Sequence, residues 1–386
     1  MTKGAIAEAV AYPLSIIKSG ILVCLNAGSN GRPVIVWGPP GCGKSMTVWQ
    51  ICKTLGWALF DVRCSDKEPP DLAGLPVADR VNKCVEWLQS SNLIPFEQHD
   101  ENGKLIKPRW KNLDGAWTDK CILFLDELDR AMQEVLNVAL QIILDRSVNG
   151  ARLYDSVRII AAGNGESDIG TTPFSEALST RMTHLYVAHQ SEEAVEGWQG
   201  WASDNDVPPW AVAFAKYQKD QVFGEPVSYA EHARSCSRTY TWGSKLIESC
   251  YQIGTKWSTN PKVIEALIYG TVGRSVGNAM RDFRKKAKEC PQPADIFKSP
   301  TGCKIPKDPG IFYATGVAMI QDAAPEETAR DSEGTYREDK AKTKAYCQYV
   351  GRWPEEMQAN FFRQAKVRMT IASTPAYKKW HTAHND

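Results

Sequence analysis

The sequence has almost no net charge and no paired spacing of cysteines. Its 46 basic and 45 acidic side chains leave a formal charge of +1. No overall field therefore attracts nucleic acid or an anionic membrane, and such binding would need a local patch. The 11 cysteines include no C-x-x-C pair, which argues against a disulfide framework or a zinc finger. We interpret them as reduced, mostly buried thiols of a cytoplasmic protein.

Long uninterrupted apolar runs and sequence repeats are also absent. Glu8, Pro13 and Lys18 interrupt the stretch Ala5–Leu25, which predicts an amphipathic helix rather than an export or membrane segment. What is present is an ordinary globular composition, with 43% hydrophobic and 24% charged residues over 386 positions. That length allows two or three domains.

The first half of the chain alternates short apolar runs with helical patterns, which predicts an α/β fold with a mostly parallel sheet. The predicted strands are Val34–Trp37, Ala58–Arg63, Cys121–Leu125, Val157–Ala162 and His184–Val187. A helix is predicted from about Lys44 to Leu55, and a tight hairpin at Asn149-Gly150. Residues 66–119, rich in proline, predict an irregular insertion with its own role.

A glycine-rich segment follows the first predicted strand and precedes a helix. Its residues fit G-x-x-x-x-G-K-[ST], the phosphate loop, in the context that the motif requires. Backbone N–H groups of such a loop and of the helix N-terminus bind phosphate oxygens. Lys44 would reach the β- and γ-phosphates of ATP, and the Ser45 hydroxyl would bind Mg²⁺. The predicted nucleotide-binding residues are Gly38, Pro39, Pro40, Gly41, Cys42, Gly43, Lys44, Ser45 and Met46.

Two acidic residues end the apolar strand Cys121–Leu125. At the carboxyl end of a parallel strand, Asp126 would lie beside bound phosphates and hold Mg²⁺ through a water molecule. Glu127 would then orient or polarise the attacking water as a general base. The alternative, two solvated acids that cap the following helix, loses weight because a phosphate loop stands upstream.

Asn164 directly follows the strand that ends near Ala162. A polar amide at this place would bridge the γ-phosphate and the attacking water. Asn is also common in turns, and Gly163 and Gly165 flank this one. Without further context the turn is the better interpretation.

The runs GPPGCGKS, ILFLDELDRA, LQIILDRSVNGARLYDSVRIIAAGN and PFSEALSTRMTHLYV resemble the MoxR branch of the AAA+ ATPases in order and spacing. DVRCSDKEPPDLAGLPV resembles the segment that leads into the helix-2 insertion of that branch. The resemblance covers about residues 32–187 strongly. It continues more weakly through GWQGWASDND, LIYGTVGRSVGNAM and YCQYVGRWPEE.

The resemblance implies an AAA+ P-loop NTPase fold. Its parts would be a five-stranded parallel sheet with helices on both faces, an α-helical lid and a helical C-terminal region. We expect a nucleotide-binding domain over residues 1–188 with the insertion at about 66–119, a lid over 189–290 and a family-specific region over 291–386. A homo-oligomeric, hexameric ring with ATP between neighbouring subunits is also implied.

Site residues carry over from the resemblance one by one. Lys44 and Ser45 match Walker A, Asp126 and Glu127 match Walker B, and Asn164 matches sensor 1. Arg181 matches the arginine finger that completes the neighbour's site and stabilises the transferring phosphoryl group; a surface ion pair is the alternative.

Two positions depart from the family. Asp129 stands where Asn is frequent, which would alter how Arg130 is held. The lid arginine is displaced in the run from Arg238 to Trp242, so Arg238 is only a candidate for sensor 2.

Two further signals have ordinary explanations. The cluster Arg281, Arg284, Lys285, Lys286 and Lys288 would suit nucleic acid, but a solvated helix face is the more common meaning. Cys42 is interpreted as a small filler, with oxidation sensitivity a minor hypothesis.

The leading hypothesis is an ATP-hydrolysing, Mg²⁺-dependent motor or chaperone of the MoxR type that remodels a partner protein. The resemblance implies a partner with a von Willebrand factor type A domain. One alternative is a motor directed at DNA or RNA. Another is a scaffold that binds ATP and scarcely hydrolyses it, against which Glu127 and Arg181 argue.

Overall fold

The computed structural model of the chain describes residues 10–79, 81, 83–89, 92–165, 180–224, 233–288, 290–324 and 338–384. The chain divides into two compact units, Met1–Ala194 and Val195–Asp386. In the part of the chain that the structure describes, no helix is long and apolar enough to cross a bilayer.

The first unit is built on a parallel sheet with strand order β1-β12-β2-β11-β8-β3. These strands are β1 Ala11–Tyr12, β2 Val34–Trp37, β3 Ala58–Arg63, β8 Cys121–Asp126, β11 Val157–Gly163 and β12 Thr183–Val187. All five predicted strands are confirmed, with ends within one residue of the prediction. A sixth, β1, was not predicted, because two residues are too short to carry a periodic pattern.

Helices cover both faces of this sheet, as predicted. They are α1 Leu14–Asn26, α2 Lys44–Leu55, the short α3 Pro69–Ala73 and α4 Gln133–Asp145. Strand side chains alternate between the faces. Leu123 and Leu125 pack with α4 in one core, whereas Ile122 and Phe124 pack with α1 and α2 in the other. Of the predicted N-terminal helix Ala5–Leu25, the part after Pro13 is helical and Ala11–Tyr12 form β1 instead, while residues 1–9 lie outside the described residues.

Short antiparallel hairpins complete the first unit. The insertion contains β4 Leu75–Asp79 with β5 Cys84–Leu88 and β6 Trp110–Lys111 with β7 Trp117–Thr118. It is thus less irregular than predicted. The predicted Asn149-Gly150 hairpin joins β9 Ser147–Val148 to β10 Ala151–Arg152. Both turn residues have positive φ, 48° and 84°, which is the conformation that favours this dipeptide in a two-residue turn.

The second unit is helical. Its helices are α5 Glu192–Asp204, α6 Pro209–Tyr217, α7 Lys219–Phe223, α8 Ser237–Ile253, α9 Pro261–Val272, α10 Arg274–Ala287, α11 Pro293–Lys298, α12 Pro309–Ala323, α13 Lys340–Val350, α14 Glu355–Arg368 and α15 Pro375–His384. Their buried residues form two apolar clusters, and α12 contributes Val317 to one and Met319 to the other. The predicted boundary at 290–291 stays a prediction.

Candidate nucleotide site

Three neighbouring strands of the sheet carry the predicted chemistry at one edge. Parallel strands β2, β11 and β8 end at Trp37, Gly163 and Asp126, so the segments that follow them meet at the carboxyl edge of the sheet. Loops at this edge are where open α/β sheets bind ligands.

The phosphate loop turns between β2 and α2. Gly41 and Gly43 have φ values of 78° and 101°, in the left-handed region that L side chains rarely adopt. The Gly38 N–H donates to the Gly163 carbonyl at 3.2 Å, which ties the loop to β11. Because α2 begins at Lys44, the unpaired N–H groups of its first turn open toward this loop.

Lys44 is largely buried and connects the loop to Asn164. Its Nζ donates to the carbonyl oxygens of Gly38 at 2.6 Å and Pro39 at 3.2 Å, and to Asn164 Oδ1 at 2.8 Å. All three acceptors are neutral. A buried ammonium is stabilised more by an anionic acceptor than by neutral oxygens, so a phosphate group would be a favourable partner here.

Ser45 and Asp126 face each other beside Lys44. The Ser45 hydroxyl donates to Asp126 Oδ2 at 2.9 Å, while Asp126 Oδ1 accepts the Glu127 N–H at 2.9 Å. A hydroxyl and a carboxylate form the all-oxygen donor set that Mg²⁺ takes, with water filling its other positions. These two residues therefore fit the predicted metal.

Glu127 is held in an uncommon backbone conformation. Its φ is 52°, in the left-handed region that a non-glycine residue adopts at a cost of about 1 kcal/mol or more. Its Oε2 accepts a 2.5 Å hydrogen bond from the Ser65 hydroxyl. Sequence reasoning missed Ser65. The available signal was its place two residues after β3, whose last residue, Arg63, is opposite Asp126 in the sheet.

Asp129 positions the segment that carries Asn164. Its side chain is only 1% exposed, and Oδ2 accepts the N–H groups of Asn164 at 2.7 Å and Gly165 at 3.0 Å. Oδ1 accepts no hydrogen bond from the described residues. Asp129, which stands where the family often has Asn, therefore holds the segment of Asn164 through two hydrogen bonds to its backbone. Its effect on Arg130 stays a prediction.

The negative charge of Asp126 helps to raise the pKa of two neighbouring groups, Cys64 and Asp61. Burial raises the pKa of the Cys64 thiol to about 12, and the Asp126 charge contributes in the same direction. Burial, followed by the same charge, raises the pKa of Asp61. An acidic field of this kind attracts a divalent cation to the Asp126 edge.

Arg181 lies away from the site of its own chain. It is exposed and precedes β12, whose first residue, Thr183, pairs with Val34 at the opposite edge of the sheet from Gly38. Four strand residues separate the two levels, roughly 13 Å. Arg238 is the exposed second residue of α8, in the second unit, and its role stays a prediction.

The remaining loop residues stand where the motif predicted them. Cys42 is buried and its N–H donates to the Pro39 carbonyl at 3.3 Å. Met46 is 44% exposed on the first turn of α2.

This geometry defines the first unit as a P-loop NTPase with the AAA+ fold. Residues 34–186 match the family model described as ATPase family associated with various cellular activities (AAA). This segment, which is less than half of the chain, is therefore similar to the domain of AAA ATPases.

The solved structures to which the chain is similar are distant in sequence. A putative ATPase from Cytophaga hutchinsonii is 14% identical, over 72% of this chain and 90% of that one, with a TM-score of 0.31. A mutant of RuvB from Thermotoga maritima is 13% identical, over 75% and 77%, with a TM-score of 0.40. Similarities at these TM-scores do not indicate a function for this chain. No curated protein matches the chain.

Proposed function

We propose that the chain hydrolyses ATP with Mg²⁺ at the carboxyl edge of its sheet. The observation that carries the proposal is the convergence of Lys44, Ser45, Asp126 and Asn164 through hydrogen bonds of 2.8 to 2.9 Å, with Glu127 directly next in the chain. A phosphate loop can bind a nucleotide without Asp126, Asn164 and Glu127, so their presence at this place supports hydrolysis.

Each residue has a separable role in this reaction. Lys44 and the loop N–H groups bind the β- and γ-phosphates. Ser45 and Asp126 would hold Mg²⁺, which would supply positive charge beside these phosphates. Asn164 orients the γ-phosphate and the attacking water. Glu127 accepts the proton of that water, and its hydrogen bond with Ser65 must loosen before the carboxylate turns to the water.

The substitution Glu127→Gln tests the catalytic assignment. Turnover is expected to fall about 10²- to 10⁴-fold, the usual contribution of a general base, while ATP affinity stays unchanged because the amide keeps the shape of the side chain. Turnover is measured as phosphate release, and affinity with a fluorescent ATP analogue. A variant as fast as the parent would remove Glu127 from the mechanism. Absent turnover in the parent would favour the ATP-binding scaffold.

We further propose that the protein acts as a ring in which Arg181 enters the site of the neighbouring subunit. Its exposure and its distance from its own phosphate loop support an action in trans. Arg181→Ala is expected to lower turnover about 10³-fold or more. Mixing Arg181→Ala with Lys44→Ala subunits should restore part of the activity, because some interfaces then combine an intact loop with an intact arginine. No recovery at any ratio would contradict the arrangement.

The work done with ATP is proposed to be the remodelling of a partner protein, as in the MoxR branch that the sequence resembles. A partner with a von Willebrand factor type A domain is the corresponding expectation. The exposed hairpin β4–β5 supports protein contact, since Leu75, Val85 and Leu88 are each more than half exposed. Affinity capture with Glu127→Gln in ATP, compared with Lys44→Ala as bait, identifies clients that require the ATP state.

A motor directed at nucleic acid is the second candidate. The basic cluster on α10 does not favour it, because Arg281 and Arg284 form ion pairs of 2.9 Å with Glu265 and Glu248. Stimulation of turnover by DNA or RNA, lost at high salt, would favour this candidate. Unchanged turnover would exclude it.

A further inference from the structure

A second surface of the first unit combines indole rings with cations. Three tryptophans each carry a positive charge over the ring: Arg109 lies 4.3 Å from the Trp117 ring centre, Lys53 5.2 Å from Trp49 and Lys120 5.6 Å from Trp57. We call these six residues the basic–aromatic strip. Trp117 is 55% and Trp49 39% exposed, so both side chains are accessible to solvent beside their cations.

The residues of the strip come from distant parts of the sequence, and two hydrogen bonds bring these parts together. Trp49 and Lys53 lie one turn apart on α2. Where that helix ends, the Gly56 carbonyl accepts a 3.3 Å hydrogen bond from Asn112 Nδ2, in the turn of the β6–β7 hairpin. The Ala58 N–H donates to the Lys120 carbonyl at 3.0 Å. The hairpin therefore packs beside the end of α2.

Part of the strip lies at the amino edge of the sheet, opposite the nucleotide site. Trp57 directly precedes Ala58 and Lys120 directly precedes Cys121, the first residues of β3 and β8, whereas Asp126 is the last residue of β8. A strand of this length spans roughly 20 Å. Trp49 and Lys53 lie on α2, which begins at Lys44, so the strip extends from the amino edge along this helix.

The cations of the strip lie over aromatic rings, whereas the cations of α10 pair with carboxylates. Within the described part of the chain, no ion pair involves Lys53, Arg109 or Lys120, and Lys111 lies 5.5 Å from the centre of the same Trp117 ring. Segment 104–120 has five basic residues and two acidic ones, in a chain that is balanced overall. On α10, carboxylates pair with the cations Arg281, Arg284, Lys285 and Lys286.

We infer that the basic–aromatic strip binds single-stranded nucleic acid. In this arrangement bases stack on the exposed rings of Trp117 and Trp49, while the cations contact backbone phosphates. Cations alone would suit any polyanion. Indole faces spaced between them favour nucleic acid over an acidic peptide, because every base offers a π-face for stacking and an acidic peptide does not. The inference is independent of ATP hydrolysis.

Fluorescence anisotropy of the full chain with dye-labelled oligo(dT) and oligo(U) of about 20 nucleotides tests the inference. Binding is expected at low salt and should weaken steeply as salt rises. Trp117→Ala should weaken it about ten-fold, the loss of one stacked base, and Trp117→Phe should recover part of that loss. The double variant Arg109→Gln/Lys111→Gln should lower the slope of log affinity against log salt by about 1.4.

Matched controls separate this surface from general charge. Lys285→Gln/Lys286→Gln removes two exposed cations that pair with Asp282 and Asp308, and should leave binding unchanged. Lys44→Ala should also bind the oligonucleotides normally, so a failure of the proposed function does not affect the result.

Three outcomes would overturn the inference. The first is no binding at low salt. The second is equal loss in the α10 double variant, which would indicate nonspecific charge. The third is polyglutamate that competes as well as oligo(dT), together with an unchanged Trp117→Ala, which would assign the strip to acidic polypeptides. Quenching of tryptophan fluorescence by oligo(dT), reduced in Trp117→Ala, would support stacking directly.

Discussion

The two edges of the same parallel sheet hold their charged groups in different ways. At the carboxyl edge, Lys44, Ser45, Asp126 and Asp129 form hydrogen bonds with protein atoms at 2.6 to 3.2 Å, with a direction fixed for each. At the amino edge, Lys53, Arg109 and Lys120 rest on indole rings at 4.3 to 5.6 Å. The first arrangement fixes positions to fractions of an ångström, as catalysis requires. The second leaves cations and rings open to partners of variable sequence.

The strongest test of this comparison is a pair of substitutions, one at each edge, that each weaken the binding of only one ligand. Lys44→Ala removes the cation that would contact the phosphates and should weaken ATP binding about 100-fold, with oligonucleotide binding unchanged. Trp117→Ala should show the reverse pattern. Titrations with a fluorescent ATP analogue and with labelled oligo(dT) measure both. If either substitution lowered both affinities, the two edges would not be independent.

Asp129 tests how firmly the carboxyl edge is fixed. Asp129→Ala leaves the N–H groups of Asn164 and Gly165 without their acceptor in a buried place, so the free energy of unfolding should fall by about 2–4 kcal/mol. Asp129→Asn keeps the acceptor oxygen of both hydrogen bonds and changes only the other oxygen, so its loss should be only about 1 kcal/mol. Urea unfolding measures both variants. Equal losses would show that the charge of Asp129, rather than its acceptor geometry, stabilises the segment.

Ser65 tests whether the carboxyl edge restrains its own base. Ser65→Ala removes the hydrogen bond to Glu127, and we expect basal turnover to rise about five-fold, since a hydrogen bond at such a partly exposed position contributes about 1 kcal/mol. Ser65→Thr keeps the hydroxyl and is the matched control. Steady-state phosphate release is the measurement. Slower turnover in Ser65→Ala would instead mean that Ser65 holds Glu127 in its working position.

The smallest expected effect concerns the hairpin that carries Trp117. Gly115 has a φ of 80°, and no atom of the described residues lies within 4 Å of the position that a Cβ would take. Gly115→Ala should therefore cost only the backbone strain, about 1 kcal/mol. Oligonucleotide affinity should fall about two-fold as the hairpin loosens, and ATP turnover should not change.

Gly103→Ala is the matched control for this substitution. Gly103 has a φ of 74° in equally open space outside the β6–β7 hairpin, so the same strain arises away from Trp117. The two variants are compared by anisotropy with labelled oligo(dT). If both variants lost the same affinity, the conformation of the β6–β7 hairpin would not be what determines oligonucleotide binding.

Local patterns were sufficient to predict most of the first unit. The central strands are continuous apolar runs, and Lys44 to Leu55 is helical as predicted. Lys44 and Asn164 are 120 residues apart. The family resemblance, which matched Asn164 to sensor 1, nevertheless implied that both lie at the nucleotide site, and both follow strands of one parallel sheet.

Features that depend on pairing in space were missed. The Ser65–Glu127 bond requires that β3 be the neighbour of β8, and strand order is not written in hydrophobic periodicity. The basic–aromatic strip joins residues from α2 and from segment 109–120, which no local window contains. The β6–β7 hairpin was missed for another reason: Asp114-Gly115 is a turn dipeptide, but the surrounding strands are only two residues long.

The two-residue strand β1 covers one edge of the six-stranded sheet. β1 has two residues, yet Ala11 and Tyr12 pair with Tyr186 and Val187 of β12, and the Ala188 N–H donates to the Tyr12 carbonyl at 2.8 Å. Without this cover, β12 would present a row of free backbone donors and acceptors, the template on which unrelated chains add strands and aggregate. A truncation that removes the residues before Pro13 would keep every predicted catalytic residue but expose the β12 edge. We therefore expect the shortened domain to aggregate.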